Sequence, residues 1–183
     1  MIPSQNECVE LMKRFGMLAN IREHSFLVRR VALTIADLLN TNGSGLNLSL
    51  IEAGALLHDI TKTRGLRTGE NHSKTGARLM EQLGFPEVAR VVAQHVNLDP
   101  QEYGYSSLTE AEVVNYSDKR VMHDQIVTLD ERFEDIRDRY GATPERIERI
   151  RQTERQARDL ERKILSHLAI SQMDLERLIY EKT

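Results

Sequence analysis

The sequence has little of what a disulfide scaffold, a membrane span or a nucleic acid surface requires. Cys8 is its single cysteine, so an intrachain disulfide and a cysteine-based zinc site are both excluded. No apolar run approaches the roughly 20 residues of a membrane-spanning helix. The formal net charge of -3 argues weakly against nucleic acid and membrane surfaces, which favour an excess of Lys and Arg. A few cations in one pocket would still suffice for an anionic substrate. The N-terminal residues show no basic region followed by an apolar segment, so a cytoplasmic location without a signal peptide is expected.

Strand signals are also scarce, because no stretch alternates apolar and polar residues for long enough. Helix-start signals recur instead. Capping boxes, in which Ser or Thr precedes Glu by three residues, occur at Ser4–Glu7, Ser49–Glu52, Thr109–Glu112 and Thr128–Glu131. Pro86 and Pro144 suit the first turn of a helix. These patterns predict an all-α bundle with helices at about 4–15, 19–40, 50–60, 72–83, 86–97, 109–124, 128–140, 144–168 and 172–181.

Two long connections between the predicted helices are candidates for binding loops. They cover residues 61–71 and 97–107, and both are rich in polar residues. Tyr103 and Tyr105 in the second connection could stack on a base or be ordinary packed or exposed loop residues.

The composition changes after about residue 124, where the chain becomes charge-dense and poor in Gly. We therefore divide the chain into a helical domain at 1–124 and a charged C-terminal helical extension at 125–183. One interpretation of the extension is a solvated helix with one apolar stripe packed on the domain. The other is an arm for association, which would make the protein a homodimer or join it to a partner.

The stretch "GALLHDITK", residues 54–62, places His58 and Asp59 directly after an apolar helical run. A metal ion would bind both side chains, and a buried His–Asp hydrogen bond is the structural alternative. Gly54 is expected to permit close packing of this helix. Three more histidines fall near ends of predicted helices, and helix ends can surround one cavity in a bundle. Asp118 follows apolar residues on its helix, where a carboxylate is costly unless it is paired or bound to metal. The histidines in question are His24, His72 and His95.

Four segments together resemble the HD-domain metal-dependent phosphohydrolase superfamily, from about residue 20 to about residue 124. They are "EHSFLVRRVALTIADLL", "IEAGALLHDITK", "NHSKTGARLMEQLGFPEVARVVAQH" and "VVNYSDKRV". Thr61 stands where the family signature usually has Gly. The His-His-Glu and Gly-Tyr-Pro segments of the cyclic-dinucleotide-cleaving branch are absent. The spacing is most similar to the compact branch that hydrolyses diadenosine tetraphosphate symmetrically.

The resemblance implies a role for each matching residue. Residues that match the ligands of one metal are His24, His58, Asp59 and Asp118. His72 and His95 match the further ligands of two-metal members, in which the carboxylate matching Asp59 bridges the ions. Lys62 matches the signature lysine beside the phosphate, so Asp59 and Lys62 are the catalytic candidates.

Cations near these motifs are candidates for binding a phosphorylated substrate, with a solvated surface cation as the alternative. They are Lys62, Arg64, Lys74 and Lys119. The mixed imidazole and carboxylate ligands suit two divalent ions of iron, manganese, cobalt, nickel or zinc better than calcium.

The function implied is hydrolysis of a phosphate ester or phosphoanhydride bond of a nucleotide or dinucleoside polyphosphate by metal-activated water. The alternative is a non-catalytic, regulatory module that binds nucleotide or metal. A module that had lost turnover would be expected to lose at least one ligand, and all six ligand positions are filled, which favours the enzyme.

Overall fold

The structure is a computed structural model that describes residues 1–99 and 107–182, and it is all-α, as the sequence predicts. The helices of the N-terminal two thirds are α1 (Gln5–Arg14), α2 (Ala19–Thr41), α3 (Leu48–Leu57), α4 (Lys62–Thr68), α5 (His72–Gln82), α6 (Pro86–Gln94) and α7 (Glu110–Lys119). A short hairpin of β1 (Val121–Met122) and β2 (Gln125–Ile126) follows, and then α8 (Leu129–Tyr140), α9 (Pro144–Leu168) and α10 (Gln172–Lys182).

The predicted helix starts are mostly confirmed. Capping boxes form at Ser4, Thr109 and Thr128, where each hydroxyl accepts from a backbone N–H and the Glu three residues later reaches back. The box at Ser49 is wrong, because α3 begins earlier and Asn47 is its N-cap residue. Pro86 and Pro144 lie in the first turns of α6 and α9, as expected.

Two local predictions are wrong. The connection 61–71 contains α4, whose Gly and Thr residues have low helix propensity. There the backbone of Gly65 lies against the carbonyl of Glu70, so packing overrides propensity. The helix predicted to reach residue 124 ends at Lys119, because the buried guanidinium of Arg120 donates to the carbonyl of Val127 at 2.7 Å and holds the β1–β2 hairpin.

Helix α3 lies between two clusters of buried side chains, so its last turn is fixed on both sides. Ile51 and Ala55 join the larger cluster with α2 and α7, whereas Leu56 and Leu57 join the smaller cluster with α1, α5 and α6. A Cβ atom on Gly54 would lie 2.5 Å from Cγ1 of Val91, so the expected close packing of this helix is confirmed. His58 and Asp59 follow directly from this rigid support.

The C-terminal extension contacts the rest of the chain through apolar side chains and through polar pairs such as Lys163 with Glu112. Leu160 and Ile164 of α9 and Leu175 and Ile179 of α10 belong to the larger cluster. The division at residue 124 and an associating role for the extension both stay predictions. Among the described helices, none is long and apolar enough to cross a membrane.

Candidate metal centre

The end of α3 places His58 and Asp59 in the interior. His58 is the C-cap residue with φ -54° and ψ -36°, and both side chains are almost completely buried. The Nδ1 of His58 contacts the carbonyl oxygen of Ala55 at 2.7 Å. Because a carbonyl oxygen only accepts, this nitrogen carries the proton, and Nε2 is directed away from the helix.

The first group of converging side chains is His24, His58 and Asp118, all buried. They come from α2, the end of α3 and α7. Oδ1 of Asp118 lies 3.1 Å from Nε2 of His24 and 3.5 Å from Nε2 of His58. Three elements that are distant in sequence therefore present two imidazoles and one carboxylate to one point.

The second group is Asp59, His72 and His95. His72 is the first residue of α5, and His95 is the C-cap residue of α6. Oδ1 of Asp59 lies 3.3 Å from Nε2 of His72 and 3.5 Å from Nε2 of His95. The other oxygen of Asp59, Oδ2, lies 3.3 Å from Nε2 of His58 in the first group. Asp59 thus presents one oxygen to each group.

Backbone carbonyls hold three of the imidazoles by Nδ1. His95 contacts the carbonyl of Val92 at 2.7 Å, in the same way as His58, and His24 contacts that of His123 at 3.3 Å. Such hydrogen bonds fix the ring orientation and the tautomer that leaves Nε2 free to bind a metal.

The geometry of both groups fits divalent metal ions. Two ligand atoms about 2.1 Å from one ion are roughly 3.0–3.4 Å apart at tetrahedral or octahedral angles. The separations are 3.1–3.5 Å, within about 0.1 Å of this range, and they exceed the roughly 2.7–2.9 Å of a charge-assisted hydrogen bond. Nε2 of His58 and Oδ1 of Asp59 are buried and find no hydrogen-bond partner among the described residues, which an ion would satisfy.

The buried charges of the cluster shift the pKa values in opposite directions. Burial opposes the protonation of His58, but the charges of Asp59 and Asp118 outweigh it and raise the pKa of His58 to about 9. Burial also opposes the ionisation of Asp59, yet His58 and Lys62 hold its pKa well below the usual value. For His72, burial dominates and lowers the pKa to about 4. The cluster therefore keeps its carboxylates ionised.

Two predicted substrate-binding lysines lie at the cluster, each bound to a protein oxygen. Nζ of Lys62 is 2.6 Å from Oδ2 of Asp59, and about a third of its side chain is exposed. Lys119 is buried, and its ammonium donates to the carbonyl of His95 and, at 3.1 Å, to Asp118. Of the two lysines, Lys62 therefore has the more exposed side chain.

The other two predicted substrate-binding cations do not line the cavity beside the cluster. Arg64 is exposed and forms an ion pair with Glu70 at 2.8 Å, and Lys74 is exposed on α5. Tyr103 and Tyr105 lie outside the described residues. The substrate roles of all these residues stay predictions.

A cavity of about 1090 Å³ opens onto Lys62 and onto five of the six candidate metal ligands, all but His58. One wall comes from α8 and α9 of the C-terminal extension, including Arg132, Arg139 and Arg149. Sequence reasoning missed these residues, because they lie beyond the segments that resemble the family. The charge density after residue 124 was a signal, but it did not show which arginines face the cavity.

The comparisons with known proteins agree with the geometry. The family described as HD domain matches residues 21–122, which is more than half of the chain. That region includes all six candidate ligands and excludes α8 to α10. No solved structure matches the chain.

Of three curated relatives, one is named as uncharacterised and two carry the name of a methyltransferase. An uncharacterised protein of Methanocaldococcus jannaschii is 26% identical over 144 residues, which is 72% of this chain and 83% of that protein. A tRNA (cytidine(56)-2'-O)-methyltransferase of Thermoplasma volcanium is 30% identical over 52% of this chain and 26% of its own length. The similarly named protein of Picrophilus torridus is 26% identical over 70% of this chain and 39% of its own length. The chain therefore spans well under half of each methyltransferase.

Proposed function

This chain belongs to the HD domain family, and from that premise we propose that it is a metal-dependent phosphohydrolase acting on a nucleotide or dinucleoside polyphosphate. The family's fold is generally that of a metal-dependent hydrolase. The observation that carries the proposal is the pair of ligand groups that Asp59 joins at the end of a large cavity. A purely structural cluster would not leave buried ligand atoms unpaired beside that cavity.

His24, His58 and Asp118 would hold one divalent ion, and His72 and His95 a second, with Asp59 between the two ions. When bound, such ions lower the pKa of a coordinated water and neutralise charge on phosphoryl oxygens. The backbone contacts of His24, His58 and His95 at Nδ1 fix the orientation of each ring, so that Nε2 is the nitrogen left to bind an ion. Iron, manganese, cobalt, nickel and zinc all suit these ligands.

Lys62 is the residue that would meet a phosphoryl oxygen of the substrate. Burial opposes its charge, but Asp59 and Asp118 raise its pKa, so the ammonium keeps its protons at neutral pH. Its side chain lines the cavity and is partly exposed. The ammonium can therefore leave Asp59 and bind an oxygen of a substrate in the cavity. Asp59 and Lys62 together are the catalytic residues that we propose.

The size of the cavity supports a nucleotide rather than a small phosphate ester. Small-molecule sites usually have volumes of about 300–1,000 Å³. A volume of about 1090 Å³ leaves space for a base, a sugar and more than one phosphate. The symmetrical diadenosine tetraphosphate hydrolases remain the branch that we propose as a starting point for substrates.

Two relatives are named as tRNA methyltransferases, so a tRNA substrate is included in the test below. The net charge of -3 weighs against binding along a nucleic acid backbone. The regulatory alternative, a module that binds nucleotide without turnover, would be expected to have lost ligands, and the cluster retains all six candidates.

A screen of phosphate release tests the proposed function. The purified protein, loaded in turn with Fe²⁺, Mn²⁺, Co²⁺, Ni²⁺ or Zn²⁺, is offered nucleoside mono-, di- and triphosphates, dinucleoside polyphosphates and tRNA with a terminal phosphate. We expect turnover with at least one nucleotide substrate, and none for a folded Asp59→Ala variant. Binding of nucleotides without any turnover, under all metals, would favour the regulatory module instead.

A further inference from the structure

The cavity has a cationic wall that the HD region does not supply. α8 and α9 contribute three arginines to this wall, Arg132, Arg139 and Arg149, together with one carboxylate, Asp135. The same cavity is lined by Lys62 and by five of the six candidate metal ligands. The HD match ends at residue 122, so none of the three arginines belongs to it. The wall therefore lies outside the region that matches the family.

Two of the three arginines are engaged or exposed. Arg139 donates to Asp135 at 2.7 Å and contacts Nε2 of His123 at 2.6 Å. Arg149 is exposed on α9. Neither has a buried donor that lacks a partner among the described residues.

Arg132 differs from both, because its side chain is only 17% exposed. Among the described residues, the carboxylate within ion-pair distance is that of Asp135, whose Oδ2 lies a long 3.6 Å from Nη1 and, like Nε of Arg132, is buried without a hydrogen bond. The other oxygen of Asp135, Oδ1, pairs with Arg139 at 2.7 Å. Nε of Arg132 is buried and finds no hydrogen-bond partner within residues 1–99 and 107–182. A guanidinium has five donors in a planar fork, so most of its capacity is left for a ligand.

Arg132 lines the same cavity as Lys62 and Lys119. Burial lowers the pKa of Lys119, and the charge of Arg132 acts in the same direction, against Asp118. The same charge opposes the protonation of Lys62. Asp59 and Asp118 pair with the two lysines, whereas Arg132 has no carboxylate closer than 3.6 Å in the part of the chain that the structure describes. A guanidinium suits a phosphate, because its fork can donate to two oxygens at once.

From this geometry we infer that Arg132 binds a phosphate group of the substrate other than the one being cleaved. The C-terminal extension would then select substrates that carry at least two phosphates in a row, such as nucleoside di- or triphosphates or dinucleoside polyphosphates. This inference rests on the proposed function and narrows its substrate class. Arg132 is a binding residue here, and the bond-breaking step stays with the cluster.

Binding of two non-hydrolysable probes to the full-length, metal-loaded protein tests the inference. Methylenediphosphonate presents two linked phosphonates, and methylphosphonate presents one. We expect Arg132→Gln to weaken binding of the diphosphonate by about 10–100-fold, the usual effect of losing a charge-assisted hydrogen bond. Binding of the monophosphonate should weaken by less than about 3-fold. Arg132→Lys should recover part of the loss, since it keeps the charge without the fork.

Arg137→Gln is the matched control, because Arg137 lies on the same helix, pairs with Glu154 at 2.7 Å and does not line the cavity. It should bind both probes like the wild-type protein. Melting temperature and metal content identify any variant that has not folded. If Arg132→Gln does not fold, Arg132→Lys is compared with the wild-type protein instead. Equal effects of Arg132→Gln on both probes, or no effect on either, would overturn the inference.

The two proposals fail in different ways. If the wild-type protein hydrolyses no phosphate compound but Arg132→Gln still weakens only the diphosphonate, the binding inference stands and the proposed activity is wrong. If nucleotides are hydrolysed and Arg132→Gln binds both probes normally, the activity stands and the inference about Arg132 is wrong.

Discussion

The Nε2 atoms of His72 and His95 lie 3.1 Å apart. Nδ1 of His95 donates to the carbonyl of Val92, and burial lowers the pKa of His95, so its neutral ring presents a lone pair at Nε2. His72 must then donate its own Nε2–H to His95 when no ion is bound. An ion held by both rings needs the lone pair of each, so metal binding requires a different tautomer of His72.

We therefore predict a tautomer change that is specific to His72. Nitrogen NMR of the metal-free protein should show His72 protonated at Nε2, and addition of Zn²⁺ should move the proton to Nδ1. His95 is the internal control, because its Nδ1–H should persist in both states. A His72 that keeps its Nε2–H in zinc-loaded protein would contradict the second metal group.

Metal content should separate the two ligand groups. His24→Ala removes one of three ligands of the first group, and His95→Ala one of three of the second, so each should lose about one ion while retaining the other. Asp59→Ala should weaken both ions and abolish turnover, because Asp59 presents an oxygen to each group. Elemental analysis of the purified variants provides the measurement.

His167→Ala is the control for these metal measurements, since His167 lies on α9 and does not line the cavity. It should bind as much metal as the wild-type protein. Identical losses for His24→Ala and His95→Ala, with no ion left in either, would show one cooperative centre rather than two groups.

The affinity for metal should rise with pH towards about 9. In the metal-free protein burial opposes the charge of His58, but its two carboxylate neighbours raise its pKa to about 9, so the ring is protonated at pH 7. A metal must displace that proton, and below this pKa the apparent affinity should improve by up to about ten-fold per pH unit from this one site. Because burial lowers the pKa of His72 to about 4, that ring adds no further proton release at neutral pH.

Calorimetry in buffers with different ionisation enthalpies measures the proton release. At pH 7 metal binding should release protons, and the release attributable to His58 should disappear above its pKa of about 9. An affinity that is flat between pH 6 and 9 would contradict the protonated state of His58.

Lys62→Ala should slow turnover without removing the metals. Lys62 lies 2.6 Å from Asp59, but its charge also repels cations, so its loss leaves Asp59 at least as able to bind them. Losing a contact made mainly in the transition state should cost about 2–4 kcal/mol of barrier, and kcat and kcat/KM should fall together. Steady-state kinetics and metal titration of Lys62→Ala provide the two measurements.

Lys62→Arg is the matched comparison and should restore only part of the rate, because its fork has a different reach. A fall in metal affinity for Lys62→Ala would assign Lys62 to orienting Asp59 instead. If Lys62→Ala keeps both the rate and the metal affinity of the wild-type protein, Lys62 has neither the catalytic nor the orienting role.

The helical architecture followed from short-range signals that the structure confirms. Ser4, Thr109 and Thr128 each satisfy orphan N–H groups locally, so their helix starts could be predicted without tertiary information. Helix α4 could not be predicted in this way, because Gly65 is held by packing against Glu70. The β1–β2 hairpin depends likewise on Arg120, whose contact with Val127 spans seven residues and is buried.

The candidate ligands were accessible from the sequence only as a pattern. Apart from the adjacent His58 and Asp59, the ligands are far apart in sequence. His24 and Asp118 are separated by 94 residues, yet they meet at 3.1 Å. The pattern of the family anticipated that meeting. It gave no information about α8, so the position of Arg132 on the cavity wall required the three-dimensional fold.

Gly54 provides a test of how the core supports the metal ligands. A Cβ atom at this position would lie 2.5 Å from Cγ1 of Val91, and the β-branched Val91 cannot easily turn aside in a helix. We expect Gly54→Ala to lower the free energy of unfolding by about 1–3 kcal/mol, although Ala is the better helix former. For a chain of this size each kcal/mol lowers the melting temperature by roughly 2–4 °C. Calorimetry of the metal-free variant avoids a contribution from bound ions.

Val91→Ala supplies the control, because it removes the atom that the new methyl group would meet. Val91→Ala alone should destabilise the protein by leaving a cavity in the core. The double variant Gly54→Ala, Val91→Ala should then lose less than the sum of the two single losses, by about 0.5–3 kcal/mol of coupling. The methyl group that Gly54→Ala introduces would occupy part of the space that the shortened side chain at position 91 vacates, which is the physical reason for the coupling. Strictly additive losses would show that α3 and α6 move apart without cost, and the close contact would then not be what fixes His58 and Asp59.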